Sequence, residues 1–257
     1  MAQLENVIFL ETKFEMLADF QHAQFNSDCD FTGADFKETA NFDSANFLAS
    51  VNFLNAKFHS TPNFARSKFL KTPPEFHGAQ LHEAIILNDV VWPDAPKDRS
   101  NAADHIAAYE KLKQEMERLK RHQDELMFFS KELRARRARM PIGSAKWIAN
   151  LLYEKLSGYG QSAMRPFLVL LSVWLSGVIA FYSFNISPSG SLSLQNAAGL
   201  SLSNLFSVLP LRKDFFGEQF LQDLFPTAKM FSSLQMLLGL LLIFLIGLAL
   251  RNQFRMK

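Results

Sequence analysis

The residue types that most often carry catalysis or bind metals are few in this chain and stand apart from one another. There is one cysteine, Cys29, and the six histidines lie at positions 22, 59, 77, 82, 105 and 122. Only His77 and His82 are near each other, whereas a metal site needs several ligands that converge on one ion. The sequence also lacks the motifs of serine hydrolases, zinc proteases and nucleotide-binding loops. We therefore expect a protein that is not an enzyme, with no catalytic residue, no metal site and no cofactor.

The charge of the chain is nearly balanced, but it divides the chain into segments of different character. The net charge is +2, which is too small to indicate general nucleic-acid binding, so no nucleic-acid partner is expected. Residues 1–92 contain 12 acidic and 6 basic residues, whereas residues 166–211 and 230–250 contain no charged residue. The chain starts without the basic and apolar residues of a signal peptide, and it has a single thiol. Both features predict that residues 1–92 lie in the cytoplasm.

Large aromatic residues recur through the first third of the chain, at steps that alternate between five and six residues. A small residue lies two positions before each of them, and a polar residue lies between the two. This alternation predicts a short strand with the small and large side chains on its buried face, followed by a corner. Because such a strand cannot bury its own face, we expect the units to stack around one column of side chains. The central members of the column are Phe31, Phe36, Phe42, Phe47, Phe53, Phe58, Phe64 and Phe69.

These units resemble the pentapeptide-repeat family, whose signature is A-[D/N]-[L/F]-x-x. The matching stretches are Ala34-Asp35-Phe36, Ala45-Asn46-Phe47, Ala56-Lys57-Phe58 and Ala79-Gln80-Leu81. The resemblance covers about residues 7–92 and implies a right-handed four-sided β-helix of about four coils with the phenylalanines inside. The extra residue in every second unit departs from the family pattern. It predicts that one coil consists of two steps of five and two steps of six, rather than four steps of five.

Residues 99–140 predict a long charged helix that links the repeat to the rest of the chain. Good helix formers dominate, and proline and glycine are absent from its interior. Leucines recur there at every seventh position: Leu112, Leu119, Leu126 and Leu133. Two interpretations remain open. The leucines form a parallel coiled-coil seam between subunits, or the helix is amphipathic and either folds back on the side of the β-helix or caps its open end.

Basic and aromatic residues that follow this helix predict contact with lipid headgroups. The predicted anchors are Arg134, Arg136, Arg137, Arg139, Lys146 and Trp147. Residues 144–158 predict an amphipathic helix that lies in the plane of the membrane surface.

Residues 164–257 predict a transmembrane hairpin with spans at about 166–186 and 230–250. Basic residues precede the first span and follow the second span. This distribution predicts a multi-pass protein of a bacterial inner membrane with both termini in the cytoplasm. Small and polar residues within the spans favour protein neighbours over lipid, so a homo-oligomer is expected. These residues are Ser172, Ser176, Gly177, Ser232, Ser233, Gln235, Gly239 and Gly247.

A short uncharged helix is predicted between the spans at about 198–209, ended by Pro210. The order of span, short helix and span is similar to that of two-span cation channels of the potassium-channel type, although the TVGYG filter of those channels does not follow the short helix. A pore of this kind implies a lining formed by Ser203, Asn204, Ser207 and Gly239. The alternative is a helix at the outer membrane surface and no conduction.

The sequence therefore predicts a β + α protein with a β-helix, a long linking helix and an α-helical two-span hairpin. The leading hypothesis is a non-catalytic, oligomeric membrane protein whose channel-like hairpin is coupled to a cytoplasmic interaction domain. The alternative is a membrane-tethered protein-interaction scaffold without transport. Membrane lipid, further copies of the chain and an unidentified cytoplasmic protein are the expected partners.

Overall fold

The computed structural model describes residues 3–4, 7–96, 99–188, 190–209 and 211–255. The chain divides into two compact units, Met1–Trp147 and Ile148–Lys257. Pro210, which was predicted to end the short helix, lies outside the described residues.

The first unit begins with two-residue strands that form parallel sheets of the order β1-β5-β9-β12, β10-β6-β2, β11-β7-β3 and β4-β8. The strands are β1 (Gln3–Leu4), β2 (Val7–Ile8), β3 (Lys13–Phe14), β4 (Ala18–Asp19), β5 (Gln24–Phe25), β6 (Cys29–Asp30), β7 (Asp35–Phe36), β8 (Ala40–Asn41), β9 (Asn46–Phe47), β10 (Val51–Asn52), β11 (Lys57–Phe58) and β12 (Lys68–Phe69). Lys13 aligns with Asp35, and Asp35 aligns with Lys57, which is the spacing that the sequence predicted for one coil. Each strand therefore pairs with the strand one coil later.

The phenylalanine side chains fill the interior of this unit as one column. All eight of the predicted central phenylalanines belong to a single buried core. Rings that are one coil apart stack face to face, with centroid distances of 4.7 Å between Phe25 and Phe47 and 5.0 Å between Phe31 and Phe53. Such contacts add to the large apolar area that each ring removes from water.

Left-handed residues occupy every second corner and explain the alternating step. Their φ angles lie between 52° and 69°. They recur twice in every coil, with a longer interval near Pro73 and Pro74, and they are Glu11, His22, Gly33, Ser44, Asn55, Arg66, Gly78 and Asp89. The backbone N–H of Ser44, for example, donates to the carbonyl of Ala65 in the next coil at 2.8 Å. The corner thus turns the chain and pairs with its neighbour at the same time.

A side-chain hydrogen bond stabilises these same corners. The side-chain oxygen of an aspartate or asparagine accepts a hydrogen bond from the backbone N–H two residues later, at 2.9 to 3.2 Å. The residues concerned are Asp19, Asp30, Asn41, Asn52 and Asn63. Aspartate and asparagine are the side chains that form this local turn best, so the polar column of the repeat has a structural cause.

The predicted single helix over residues 99–140 is wrong, because the chain forms two helices there. These are α1 (Arg99–Arg118) and α2 (His122–Arg139). They pack against each other through a reversal at Lys120, which has a φ angle of 57°. No glycine or proline marks this turn, and its cause is tertiary: both helices bury apolar side chains against the end of the column.

The two helices cap the carboxyl-terminal end of the coil stack. Tyr109, Leu112, Met116 and Phe128 belong to the same core as the phenylalanine column. Phe128 lies 4.8 Å from Trp92, measured between ring centroids. Leu112 therefore faces the column rather than a second subunit, as the capping interpretation predicted. Of the other leucines of the predicted seam, Leu119 packs against this core, whereas Leu126 and Leu133 are half-buried.

Two arginines of this cap bind the exposed edge of the last coil. The Arg118 guanidinium donates to the carbonyl of Leu81 at 3.2 Å, and Arg121 donates to the carbonyl of Ile85. Unpaired backbone groups at a sheet edge invite pairing with another chain. The two arginines occupy acceptors that would otherwise be open to such pairing.

We expect Lys120→Gly to stabilise the first unit by about 1 kcal/mol, because glycine adopts a left-handed conformation without the steric cost that a Cβ adds. Chemical denaturation of the full-length protein measures the change. Gln114→Gly, at an exposed position inside α1, serves as the control and should destabilise by about 1 kcal/mol. A destabilising effect of Lys120→Gly would contradict the assigned turn.

The second unit is helical and contains two helices that could cross a membrane. Its helices are α3 (Ala145–Ser157), α4 (Met164–Ser183), α5 (Leu194–Leu205), α6 (Leu211–Asp223) and α7 (Pro226–Arg255). By length and composition α4 and α7 are candidate spans, and only 28% of the apolar window of each is buried, unlike the core helix of a water-soluble protein. The short helix α5 begins and ends four residues earlier than predicted, and α6, with a break at Gly217, was not predicted.

Candidate functional site

The short helix α5 packs against both candidate spans, which also contact each other. Near its start, Ala197 packs in one cluster with Phe181 of α4 and Ala228 of α7. At its end, Leu205 packs in another cluster with Leu170 and Leu242 of the same two helices. These contacts show that α5 runs antiparallel to α4 and reaches more than half of the way along it. It is therefore a short helix that folds back against both candidate spans.

A hydrogen-bonded polar cluster centred on Gln235 joins the three helices. The Gln235 side-chain carbonyl accepts from the Asn204 amide at 3.0 Å. Its own amide donates to the hydroxyl of Ser201 and to the backbone carbonyl of Val173, both at 3.1 Å. Ser201 in turn donates to the carbonyl of Trp174 at 2.8 Å. Gln235, Ser201 and Asn204 are fully buried. Because their polar groups have no access to water, these bonds provide the hydrogen-bond partners that burial removes.

Two glycines create the space into which α5 fits. A Cβ on Gly177 would lie 2.0 Å from the Gln235 amide nitrogen and 2.3 Å from the Ser201 hydroxyl. A Cβ on Gly239 would lie 2.4 Å from the backbone oxygen of Leu205. Of the residues that the sequence assigned to protein contacts, Gly177, Gly239, Gln235 and Ser232 are packed within this chain. The others, Ser172, Ser176, Ser233 and Gly247, are exposed.

Two buried polar atoms of this region find no hydrogen-bond partner among the described residues. They are the side-chain oxygen of Asn204 and the hydroxyl of Ser232. Both residues are fully buried. A buried polar atom without a partner is unfavourable, and the cluster contains no titratable group. The arrangement can thus position the three helices, but it offers no acid or base.

The predicted pore-lining residues do not share one open surface in the described chain. Asn204 and Gly239 lie inside the packing of the three helices. The Ser203 hydroxyl donates to the carbonyl of Leu200 at 2.9 Å, and Ser203 borders a cavity of about 290 Å³ between α5 and α6. Ser207 is exposed beyond the end of α5. A pore lined by all four residues stays a prediction that needs a different arrangement of α5.

Replacement of Gln235 by leucine should lower the thermal unfolding midpoint of the detergent-solubilised protein by about 2–8 °C, because Asn204 and Ser201 lose a buried partner. Ser233→Ala is the matched control. Ser233 lies two residues before Gln235 on an exposed face of α7, and its hydroxyl donates to the carbonyl of Lys229 in the same helix. Equal midpoints for both variants would contradict a stabilising role for the Gln235 cluster.

The predicted lipid anchors differ in their side-chain contacts and in their exposure to solvent. Arg136 and Lys113 both donate to the buried carboxylate of Glu132 at 2.6 Å, so Arg136 belongs to the α1–α2 contact. Arg134 borders a small cavity beside Tyr109. Arg137 and Trp147 are also half-buried, whereas Arg139 and Lys146 are exposed. The sequence did not predict this role of Arg136, because Glu132 becomes buried only when α2 packs against α1.

The single thiol lies in the column of small residues that faces the core. Burial raises the pKa of Cys29 to about 12, so the thiol stays protonated and is a poor nucleophile at neutral pH. Among the described residues, no group of three or more histidine, cysteine, aspartate or glutamate side chains is placed to hold a metal ion.

Cys29 is expected to react with a thiol reagent only after unfolding. Native full-length protein should show no reaction at pH 8, and the same protein in denaturant should show one thiol per chain. The raised pKa also predicts a loss of stability as the pH rises above 9.0, the ordinary value of the thiol, because the unfolded state then releases the proton first. Fast labelling of the native protein would contradict this burial.

An acidic groove runs along the outer face of the sheet formed by β2, β6 and β10. It encloses about 570 Å³, and its lining includes Ile8, Asp30, Asn52, Glu75 and Asp104. Asp28 also lines the groove, and its carboxylate lies 3.4 Å from the Lys71 amine. The groove thus combines several carboxylates with one exposed apolar side chain.

Comparison with known proteins supports the repeat alone. A family model described as pentapeptide repeats (9 copies) matches residues 9–53. No curated protein matches this chain. No solved structure matches it either.

Proposed function

We propose that this chain is a membrane-tethered protein-interaction scaffold. Its four sheets are the sides of a right-handed β-helix of about four coils, which displays polar faces to a partner protein. The hairpin of α4 and α7 anchors it in a bacterial inner membrane, with both termini in the cytoplasm. It has no catalytic activity, and it acts as a homo-oligomer.

The observation that carries this proposal is the contrast between the two units. The repeat unit buries its central phenylalanines and presents polar residues on its sheet faces, which suits contacts with a partner protein. The two long helices instead leave most of their apolar surface exposed, which favours lipid as their surroundings. The basic residues that precede α4 and those at the end of α7 favour a cytoplasmic location for both termini.

Ion conduction is the competing function, and the polar cluster argues against it. Asn204 bonds to Gln235 within the same chain, so it is not available to line a passage between subunits. Recording from the purified protein in planar bilayers should give no current across voltages and salts. Reproducible single-channel currents that change in Asn204→Ala would overturn the scaffold proposal.

Membrane insertion is tested by washing isolated membranes with alkaline carbonate. The full-length protein should stay in the membrane pellet, because only detergent displaces lipid from two apolar spans. Release into the wash would contradict insertion. The size of the purified protein in detergent tests the oligomer.

The interaction surface is tested by photo-crosslinking in cells with a photoreactive amino acid at Leu54, which borders the acidic groove. We expect a crosslinked partner that is lost in Glu75→Lys/Asp104→Lys. The matched control is Glu38→Lys/Glu83→Lys, which makes the same charge change at exposed positions outside the groove. Loss of the crosslink in both variants would contradict recognition by the groove.

A further inference from the structure

Two arginines stand at neighbouring ends of the apolar helices. Arg165 directly precedes the uncharged stretch 166–211, and Arg251 directly follows the uncharged stretch 230–250. The side-chain amide of Asn252 donates to the carbonyl of Gly160 at 3.0 Å. This bond holds the end of α7 against the turn that precedes α4. The two arginines are therefore the first charges beyond each apolar stretch, at the same end of the hairpin.

A tight turn between α3 and α4 shapes the surface beside these arginines. Gly158, Tyr159 and Gly160 are all left-handed, with φ angles of 58°, 59° and 79°, and Tyr159 is fully buried. A Cβ on Gly158 would lie 3.3 Å from a guanidinium nitrogen of Arg165, and one on Gly160 would lie 3.1 Å from the Tyr153 hydroxyl. The turn thus brings bare backbone close to a cation and to a phenol.

The second arginine lies near the same phenol. Burial raises the pKa of Tyr153, and the positive charge of Arg251 acts in the opposite direction, which places Arg251 within electrostatic range of that hydroxyl. Within the described part of the chain, neither Arg165 nor Arg251 forms an ion pair. Glu154 is the one acidic residue of the sequence between positions 148 and 211. The two arginines therefore leave positive charge at this end of the hairpin without an ion pair among the described residues.

Exposed apolar side chains lie next to the two arginines on both spans. Phe167 and Leu168 are exposed on α4, one turn from Arg165 or less, and Leu250 is exposed next to Arg251. A free anion would use only the two guanidinium groups. A ligand with an anionic head and apolar chains would use both parts of the surface.

We propose that Arg165 and Arg251 bind the phosphodiester of one anionic phospholipid, whose acyl chains lie along Phe167, Leu168 and Leu250. This inference rests on the proposed membrane insertion. Guanidinium groups suit the site because each presents paired N–H donors to phosphate oxygens. Phosphatidylglycerol binds better than phosphatidylcholine, because the choline cation would face two arginines.

Native mass spectrometry of the full-length protein in detergent, titrated with either lipid, tests the site. Phosphatidylglycerol should bind about tenfold more tightly than phosphatidylcholine, and Arg165→Gln/Arg251→Gln should weaken it about thirtyfold. Arg165→Lys/Arg251→Lys keeps the charge but not the paired donors, so a loss of a few-fold is expected. The control variant Lys213→Gln/Lys229→Gln removes two cations that bond elsewhere, to Glu218 and to the carbonyl of Gln222, and it should bind normally.

Three results would overturn the lipid site. They are equal affinity for both lipids, unchanged affinity in Arg165→Gln/Arg251→Gln, and displacement of phosphatidylglycerol by excess inorganic phosphate, which would indicate a site for free anions. The carbonate wash separates this inference from the proposed function. Release of the protein from membranes contradicts the scaffold proposal, whereas retention without a lipid preference contradicts only the lipid site.

Discussion

Phe42→Ala is expected to lower the free energy of unfolding of the first unit by about 3–5 kcal/mol, the usual cost of removing a buried phenylalanine. Phe42 is fully buried. Its ring stacks on Phe20 below and on Phe64 above, at 5.0 Å in both cases. Because each coil contacts only the coils beside it, the cavity would interrupt the column at its centre and separate the coils on either side.

Chemical denaturation of the full-length protein in a Trp147→Phe/Trp174→Phe background measures this loss by the fluorescence of Trp92, which stacks on Phe69 at the end of the same column. Leu48→Ala is the control, since Leu48 lies on the outside of the stack and is 41% exposed. It should change stability by less than about 1 kcal/mol. Similar losses for the two variants would contradict a column that depends on its interior rings.

Gly239→Ala should release α5 from its contacts with α4 and α7. The new methyl group would meet the backbone of Leu205 at 2.4 Å, and a backbone cannot move aside as a flexible side chain does. Overpacking of this kind costs about 1–3 kcal/mol or more, so the thermal midpoint in detergent should fall by about 5–10 °C.

Gly247→Ala provides the matched control on the same helix, because a Cβ there meets nothing within 4 Å. We expect no measurable change in that variant. Protease accessibility of the segment after α5 gives a second measurement and should rise only in Gly239→Ala. A stable Gly239→Ala variant with unchanged accessibility would show that α5 does not contact α7 at this point.

The repeat unit could be predicted from the sequence because its signal is local and repeated. Each phenylalanine points inward wherever the step of five or six residues places it, so one error would not hide the pattern. The left-handed corners were not predicted, although a signal was present. Aspartate or asparagine recurs at every second step of the repeat from Asp19 to Asn63, and each forms the local turn that prepares the corner.

The reversal at Lys120 could not be predicted from local residues. The stretch around it favours a continuous helix, and the gain from burying Leu112 and Phe128 against the column outweighs that preference. Such a gain depends on the end of the stack, which is far from Phe128 in sequence. The leucine spacing therefore identified Leu112 as a buried position, but it joined residues of two separate helices into one face and did not identify the surface that covers them.

The candidate site in the helical unit was predicted only in part. The sequence identified Gln235, Gly177 and Gly239 as residues that need protein contacts, because they interrupt apolar stretches. It did not pair Gln235 with Asn204, since that bond exists only once α5 enters the hairpin. The start of α5 could have been predicted from the sequence. Ser193 is a typical helix N-cap residue, and its side chain accepts a hydrogen bond from the N–H of Asn196.

The register between coils limits how a gene for such a protein can lengthen or shorten. Strands pair with the coil one full circuit later, as Lys13 does with Asp35. Duplication of a segment as long as one coil would lengthen the stack by one coil, and every later strand would keep its position on the same side of the stack. Duplication of half a circuit would keep the rings inside but make the chain leave the rod on the opposite side. Length variants of this rod should therefore accumulate in whole circuits wherever the direction of its exit matters.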